Sequence, residues 1–389
     1  MLNKDINSLV FSYLNFTDRY KYGLTSRTVW TYWNNFCHPE VIKLTPKQIG
    51  LEKKYKNIKF AIDFYIEHDY DDEIILTIDD ASCLSDFYKV DLSFTLINDG
   101  FQGLDKLDSV CELDLSCNDI QNIDRFKNSK KLYLNQTLVK DVSQLNNIHT
   151  LDISNTDVCD ISMLKNLYSI NISGTSITNI FNLQNVYELY MANMNIDNLE
   201  EILSTFTNLH VLDLKGTNIN DLSICSNIFD KIHKLNISFT SIADVSMLDN
   251  IHTLNLSHCQ NITDVSMLGN VYNLNLSYTN IEYVSMLGNV HILNLSGCKS
   301  IDNFSNLGNV YELDLSHTNI DDLYGLENNN YLLLIDCLDI DDISPLKNIK
   351  KLNIRGCNNI TNISMLYNLE VLWCDKTIPQ EQIDKIFKK

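Results

Sequence analysis

Histidines at positions 210, 233 and 252 and 11 cysteines are the side chains of this 389-residue sequence best suited to chemistry. His210, His233 and His252 sit in successive segments of similar text, so a repeating fold would carry them in one column, where three imidazoles could converge on zinc or copper. No column of carboxylates or cysteines accompanies them to complete a metal site, and ring stacking along a ladder is the simpler reading. A ladder of this kind also implies some pH sensitivity if several rings protonate together. The cysteines form no C-x-x-C pair, and an odd number of thiols in a reducing compartment needs no pairing scheme. Cys259, Cys298 and Cys357 recur in one phrase and read as structural. There is no nucleophile elbow, no phosphate-cradling loop and no HExxH, and only 12 glycines are present. We therefore assign no catalytic residue, no metal and no cofactor.

Thirty basic residues against 50 acidic ones give a formal net charge of -20. That balance repels a phosphate backbone, so nucleic acid is not an expected partner. The opening text, MLNKDINSLVFSYLNFTDRYK, is interrupted by charges and lacks the pattern of a signal peptide, and no stretch is long enough to span a membrane. The expected setting is the cytoplasm or nucleus, with no membrane partner. Asn-x-Ser sequons such as the one at Asn255 arise from a recurring phrase and need no glycan.

What must position these residues is a repeat. The pattern Leu-x-Leu/Ile returns from Leu113 to Leu372 at steps of 19 or 20 residues, with Leu333 as the member near the end and two longer steps of 23 either side of Leu212. Alternation within L-x-L specifies a short strand with leucines inward and the middle residue outward. About five inward apolar residues per unit do not offset the ordering of about nineteen residues, so stacking is obligatory. The product is a curved solenoid with a concave strand face. In DVSMLGNV, from Asp264 to Val271, Val265 and Leu268 point inward while Ser266 and Gly269 face the convex back. LEEILSTFTNL (199–209) and LSICSNIFDKI (222–232) have helical spacing, and TIPQEQIDKIFKK reads as a short capping helix with Thr377 as N-cap and Pro379 in the first turn.

Segments such as VCELDLSCNDI and VYELDLSHTNI resemble leucine-rich repeats. The resemblance implies an α/β solenoid, a leucine-rich repeat horseshoe with a parallel concave sheet, over residues 90–376, followed by a capping helix over 377–389. The outward middle position is mostly Asp or Asn, which reads as a hydrogen-bonding column along the sheet. Tyr133, Tyr190, Leu334 and Trp373 break it. Large rings on a small, polar wall are where interface hot spots belong, so Tyr133, Tyr190 and Trp373, with Phe239 and Tyr278 near strand exits, are the candidate target-binding residues. Two residues before each first leucine runs a second column, including His149, Tyr168, Tyr187, His210, His233, His252, Tyr272, His291, Tyr311 and Tyr331, whose rings should stack.

Residues 1–45 are patterned differently, with Ile6, Leu9, Val10, Tyr13 and Leu14 on one helical face. LNKDINSLVFSYLNFTDRYKYGLTSRTVW resembles the F-box, with Asn3 where that family usually has proline. The matching positions are Leu2, Ile6, Val10, Phe11, Leu14, Asp18, Leu24, Ser26, Arg27 and Trp30. The resemblance implies a small N-terminal helical bundle that docks on the Skp adaptor of a cullin ubiquitin ligase, a helix-in-groove mode of recognition. The other reading is that these helices only cap the solenoid. CQNITDVSML likewise resembles the cysteine-containing repeats of many F-box proteins, and the wealth of Asn, Ile, Lys and Tyr resembles F-box repeat proteins of social amoebae and of giant viruses that infect amoebae.

Residues 46–89 read as a connecting region, acidic around HDYDDEIILTIDD. The expected function is a non-catalytic, substrate-recognition subunit of a Skp-cullin-F-box ligase. It would hold the Skp adaptor and cullin core at one end and an unknown target, with basic surface, on the strand face. A cytosolic leucine-rich repeat interaction scaffold without a ligase role is the alternative.

Overall fold

The computed structural model describes residues 42–44, 60–63 and 88–387, apart from positions 96, 182, 224 and 225. The chain divides into two compact units, one ending at position 182 and the other beginning at Leu183. Among the described residues no helix is long and apolar enough to cross a membrane. The F-box-like positions from Leu2 to Trp30 lie outside the described residues.

The first unit contains a parallel sheet of β1 (Ile42–Leu44), β2 (Phe60–Asp63), β3 (Lys89–Asp91), β4 (Glu112–Asp114), β5 (Lys131–Tyr133), β6 (Thr150–Asp152) and β7 (Ser169–Asn171), paired in chain order. Parallel pairing thus extends upstream of Val90, where no L-x-L phrase marks it.

The second unit continues the pattern with β8 (Glu188–Tyr190), β9 (Val211–Asp213), β10 (Lys234–Asn236), β11 (Thr253–Asn255), β12 (Asn273–Asn275) and β13 (Ile292–Asn294). It ends with β14 (Glu312–Asp314), β15 (Tyr331–Leu333), β16 (Lys351–Asn353) and β17 (Val371–Trp373).

The inward leucines are in register: Leu235 lies beside Leu212 on one side and Leu254 on the other. Each is buried, and each coil adds the buried residues of its back, such as Val265 and Leu268 in the fourth coil of the second unit. Every unit of sequence therefore fills the same space as its neighbour.

The turn after each strand has its own polar core. Thr137, Thr156, Thr217, Thr240, Thr279 and Thr318 donate their hydroxyls to the carbonyl three residues earlier, at 2.6 to 2.7 Å. Cysteine at the same position donates instead to the preceding coil: Cys259 to Ile237 O and Cys298 to Leu276 O at 3.1 Å, and Cys357 to Leu334 O at 2.7 Å. Burial pushes the Cys298 and Cys337 thiols up, and that of Cys357 up to about 12, so each keeps the proton it donates. These cysteines belong to the frame.

On the back, Asp or Asn caps a tight turn. The backbone N–H of Ser246 donates to Asp244 Oδ1 at 2.9 Å and that of Ser266 to Asp264 Oδ1 at 2.9 Å, followed by 3-10 turns at Ser246–Leu248 and Ser266–Asn270. The glycine of SMLGN lets adjacent turns touch: a Cβ on Gly288 would stand 2.5 Å from the Asn306 carbonyl oxygen. The two longer repeats carry α1 (Leu199–Ser204) and α2 (Ser226–Phe229), as their apolar spacing implies.

The final helix, α3 (Gln380–Phe387), begins later than the sequence suggests, with Pro379 preceding it and Thr377 in the turn before. Its Gln382 side chain accepts from Ile363 N at 2.8 Å and donates to Thr361 O at 3.0 Å, covering backbone groups of the last coil.

One register assignment requires correction. In YLLLI, Leu332 pairs with Leu313 and Leu352, so it is the inward residue, Leu333 faces outward and Leu334 is buried with no exposed surface. Three consecutive leucines contain no alternation, and a slip of one residue exchanges the two faces. Tyr331 consequently lies on the strand face beside Glu312 and Lys351 rather than in the ring column.

Candidate functional site

The middle residue of each strand is a local cap more than a link along the sheet. Asp114, Asp152, Asn236, Asn255, Asn275, Asn294 and Asp314 each accept the backbone N–H two residues on, at 2.8 to 3.2 Å. Bonds between neighbouring members occur from Asn171 to Asp152, at 3.1 Å, and from Asn236 to Asp213, at 3.0 Å. A ring at this position cannot make the Asx turn, so Tyr133, Tyr190 and Trp373 each replace a useful bond with bulk.

The three rings have different surroundings. In the first unit Tyr133 stands beside Lys89, Glu112 and Lys131. Glu112 is paired with Lys89 and, at 3.2 Å, with Lys131. Burial raises the Glu112 carboxyl, but the two ammonium groups outweigh it and hold it below the ordinary range. Burial, with Glu112 adding to it, pushes the Tyr133 phenol up. In the second unit Tyr190 is half-buried on β8 and its phenol is likewise raised by burial. Trp373 on β17 meets Tyr331, with ring centroids 5.8 Å apart.

The second unit also carries two rows of stacked rings, one at each end of its strands. The entry row runs His233, His252, Tyr272, His291, Tyr311, with successive centroids 4.3, 4.7, 4.6 and 4.8 Å apart, and Tyr187 stacks on His210 at 4.3 Å. Face-to-face stacking turns the His233 and His252 rings parallel, not toward a shared point, and His210 Nδ1 lies 2.7 Å from Asn208 O. Among the described residues no group of three or more His, Cys, Asp or Glu is placed to hold a metal ion.

The exit row is shorter. Phe239, His258 and Tyr278 stack with centroids 4.2 and 4.8 Å apart. Lys215 Nζ lies 5.2 Å over the Phe239 ring. At the other end the Tyr278 ring lies over Gly297, where a Cβ would come within 2.6 Å of it.

All three exit residues have left-handed backbone, with φ of 59°, 60° and 56°. That conformation costs a side chain about 1–2 kcal/mol and suits glycine or asparagine; it recurs at this place along the repeats, at Gly174, Asn193, Gly216, Gly297 and Gly356 but also at Phe94, Cys117, Gln136 and His317. Yet Phe239 is 51% exposed and Tyr278 42%, so burial does not explain the rings. Between the two rows lie Asn236, Asn255 and Asn275, the last residues of three neighbouring strands. The result is a polar strip bordered on both sides by half-exposed rings.

The structure therefore joins Phe239 and Tyr278 through His258, while Tyr190 and Trp373 of the same unit stand outside that stack and Tyr133 belongs to the first unit. His258, the middle of the exit row, was missed from sequence. Its signal was available: it stands four residues after Leu254, as Phe239 and Tyr278 stand after Leu235 and Leu274.

No family model and no curated protein matches this sequence. Among solved structures, a leucine-rich repeat protein of Leptospira interrogans matches with a TM-score of 0.50 at 20% identity, over 86% of this chain and 90% of that one. The fold is a leucine-rich repeat solenoid. An internalin of Listeria monocytogenes also matches, with a TM-score of 0.49 at 20% identity, over 70% of this chain and 82% of that one. In leucine-rich repeat terms, the ring-bordered strip is the strand face of repeats that begin at Leu235, Leu254 and Leu274.

Proposed function

We propose that this chain is a protein-interaction scaffold whose strand face in the second unit grips a polypeptide partner between the two ring rows. The single observation that carries this reading is the exit row. Three successive repeats put large rings on a left-handed backbone, half in solvent, where glycine or asparagine would be easier. What is particular to these coils is the continuous stack of rings, since the left-handed backbone is shared with Cys117, Gln136 and His317, and rigid aromatic side chains are the usual anchors of interfaces. The formal charge of -20 favours a partner with basic surface, through steering more than through identity. The reading assigns no chemistry to the chain, and an intracellular location belongs to the same proposal.

Affinity capture with the full chain tests it, with partners measured by quantitative mass spectrometry. Phe239→Ala combined with Tyr278→Ala should lose the principal partner by at least about tenfold while the melting temperature is kept. Retention of the same partners by the double variant contradicts the reading.

The ligase-subunit reading is the second one, favoured by the order LVFSYL, Asp18, Ser26-Arg27 in the sequence. It gives the scaffold a destination: by tethering a target beside a cullin core, the chain would raise its effective concentration at the ligase. Purified Skp adaptor should then bind the full chain and be lost on Phe11→Ala with Leu14→Ala. Absence of adaptor binding leaves the scaffold reading alone.

A further inference from the structure

The back of the second unit carries a second set of exposed apolar side chains, well away in the coil from the ring-bordered strand face. Tyr283 is 78% exposed, Tyr324 64% and Met286 60%. Single apolar residues on a surface are ordinary, but Tyr283 displaces something useful. In the flanking coils the equivalent position caps the back turn: Asp264 accepts Ser266 N, Asn303 accepts Ser305 N and Asp322 accepts Tyr324 N, each at 2.9 Å. A tyrosine cannot make that Asx turn. The ring has been placed in solvent at the expense of local structure.

Between Tyr283 and Tyr324 run two adjoining grooves, of about 270 and 560 Å³, which share Asp302 and Asn303. Their walls hold the carboxylates of Glu282, Asp302, Asp321 and Asp322 against one cation, Lys299. The fold does not call for this charge. Glu282, Asp302 and Asp321 each stand one residue before the capping position, and the cap itself is made as well by a neutral amide at Asn303 as by a carboxylate.

We propose that this back surface is a docking site for an extended segment of a partner protein that carries arginine or lysine beside apolar residues. The carboxylates receive the cations, and the faces of Tyr283 and Tyr324, which line the two grooves, take guanidinium groups and the apolar side chains beside them. The site is separate from the strand face, so the chain could hold two partners at once.

The probe is a short fluorescein-labelled peptide of arginines interleaved with leucines, titrated against the full chain by anisotropy at about 0.15 M salt, where long-range attraction is screened. Its controls replace the arginines by glutamates or the leucines by serines. We expect saturable binding of the arginine–leucine peptide alone. It should weaken about tenfold in Tyr283→Ser with Tyr324→Ser, and likewise in Glu282→Gln with Asp302→Asn and Asp321→Asn, changes that leave every turn cap in place. Phe239→Ala with Tyr278→Ala should leave it unchanged, which keeps this result distinct from the strand-face reading. Melting temperatures close to that of the parent chain establish that the variants fold. The proposal is overturned by a lack of saturable binding, by equal binding to the tyrosine variant, or by equal binding of the leucine-to-serine peptide, which would mark mere attraction to an acidic chain.

Discussion

Side chains at one offset from the repeat leucine do different work in different coils, and that difference separates frame from surface. Phe239, His258 and Tyr278 occupy a left-handed position that asparagine fills at Asn155 and Asn193. Replacing Phe239 or Tyr278 by asparagine should therefore change stability by no more than about 1 kcal/mol, because relief of backbone strain offsets the lost stacking; denaturant titration measures this. Leu334, by contrast, is frame. Leu334→Ala should cost about 2–5 kcal/mol while Leu333→Ala costs under about 1 kcal/mol, and the reverse order would restore the register that alternation alone suggests. The thiols give a third check. Under native conditions alkylation followed by mass spectrometry should label exposed Cys159 and spare buried Cys298, Cys337 and Cys357, whose protons are held by burial and by backbone acceptors. At this scale, the sequence shows which positions break the pattern, as at Tyr190 and Trp373. It does not show which of them meet, since stacking of His258 between Phe239 and Tyr278 depends on backbone conformation that residue type disfavours.

Elements were legible wherever the period was unbroken, because a sustained alternation of inward leucines leaves one register for a parallel sheet. The failures have local causes. YLLLI has no alternation to read, and the upstream strands β1 and β2 lack the L-x-L phrase altogether. Short 3-10 turns on the back follow from coils too brief for an α-helix, while the two longer coils afford α1 and α2. Close approach of those turns makes a glycine necessary, so Gly288→Ala should destabilise the second unit by about 1–3 kcal/mol, read from its unfolding midpoint. Removing α3 should speed amide exchange in the last coil, since Gln382 covers backbone groups at Thr361 and Ile363. Unchanged exchange there would deny α3 its covering role.

The chain is acidic, and each of its two units repeats nearly identical coils, so its acid response follows from a repeated device. The backbone N–H of the following serine, with its hydroxyl, holds the carboxyls of Asp141, Asp160, Asp221, Asp244 and Asp264 below the ordinary carboxylate range. A depressed carboxylate stabilises the fold above its unfolded pKa, and that stability is lost as the pH falls through the lower, folded value. Burial raises Asp114 and works in the opposite direction, but it is one group against a recurring set. Melting temperature should thus hold at neutral pH and fall once the pH drops below the usual carboxylate range. Whole-molecule function was only partly legible: the repeat announces a binding surface, while on the proposed reading the partner is selected by the few rings that interrupt it. Hydrogen exchange of the full chain, alone and with its principal captured partner, tests the central claim most directly. Protection should concentrate at the strand exits around Phe239, His258 and Tyr278 and at the entry row from His233 to Tyr311, and protection confined to other parts of the chain would contradict it.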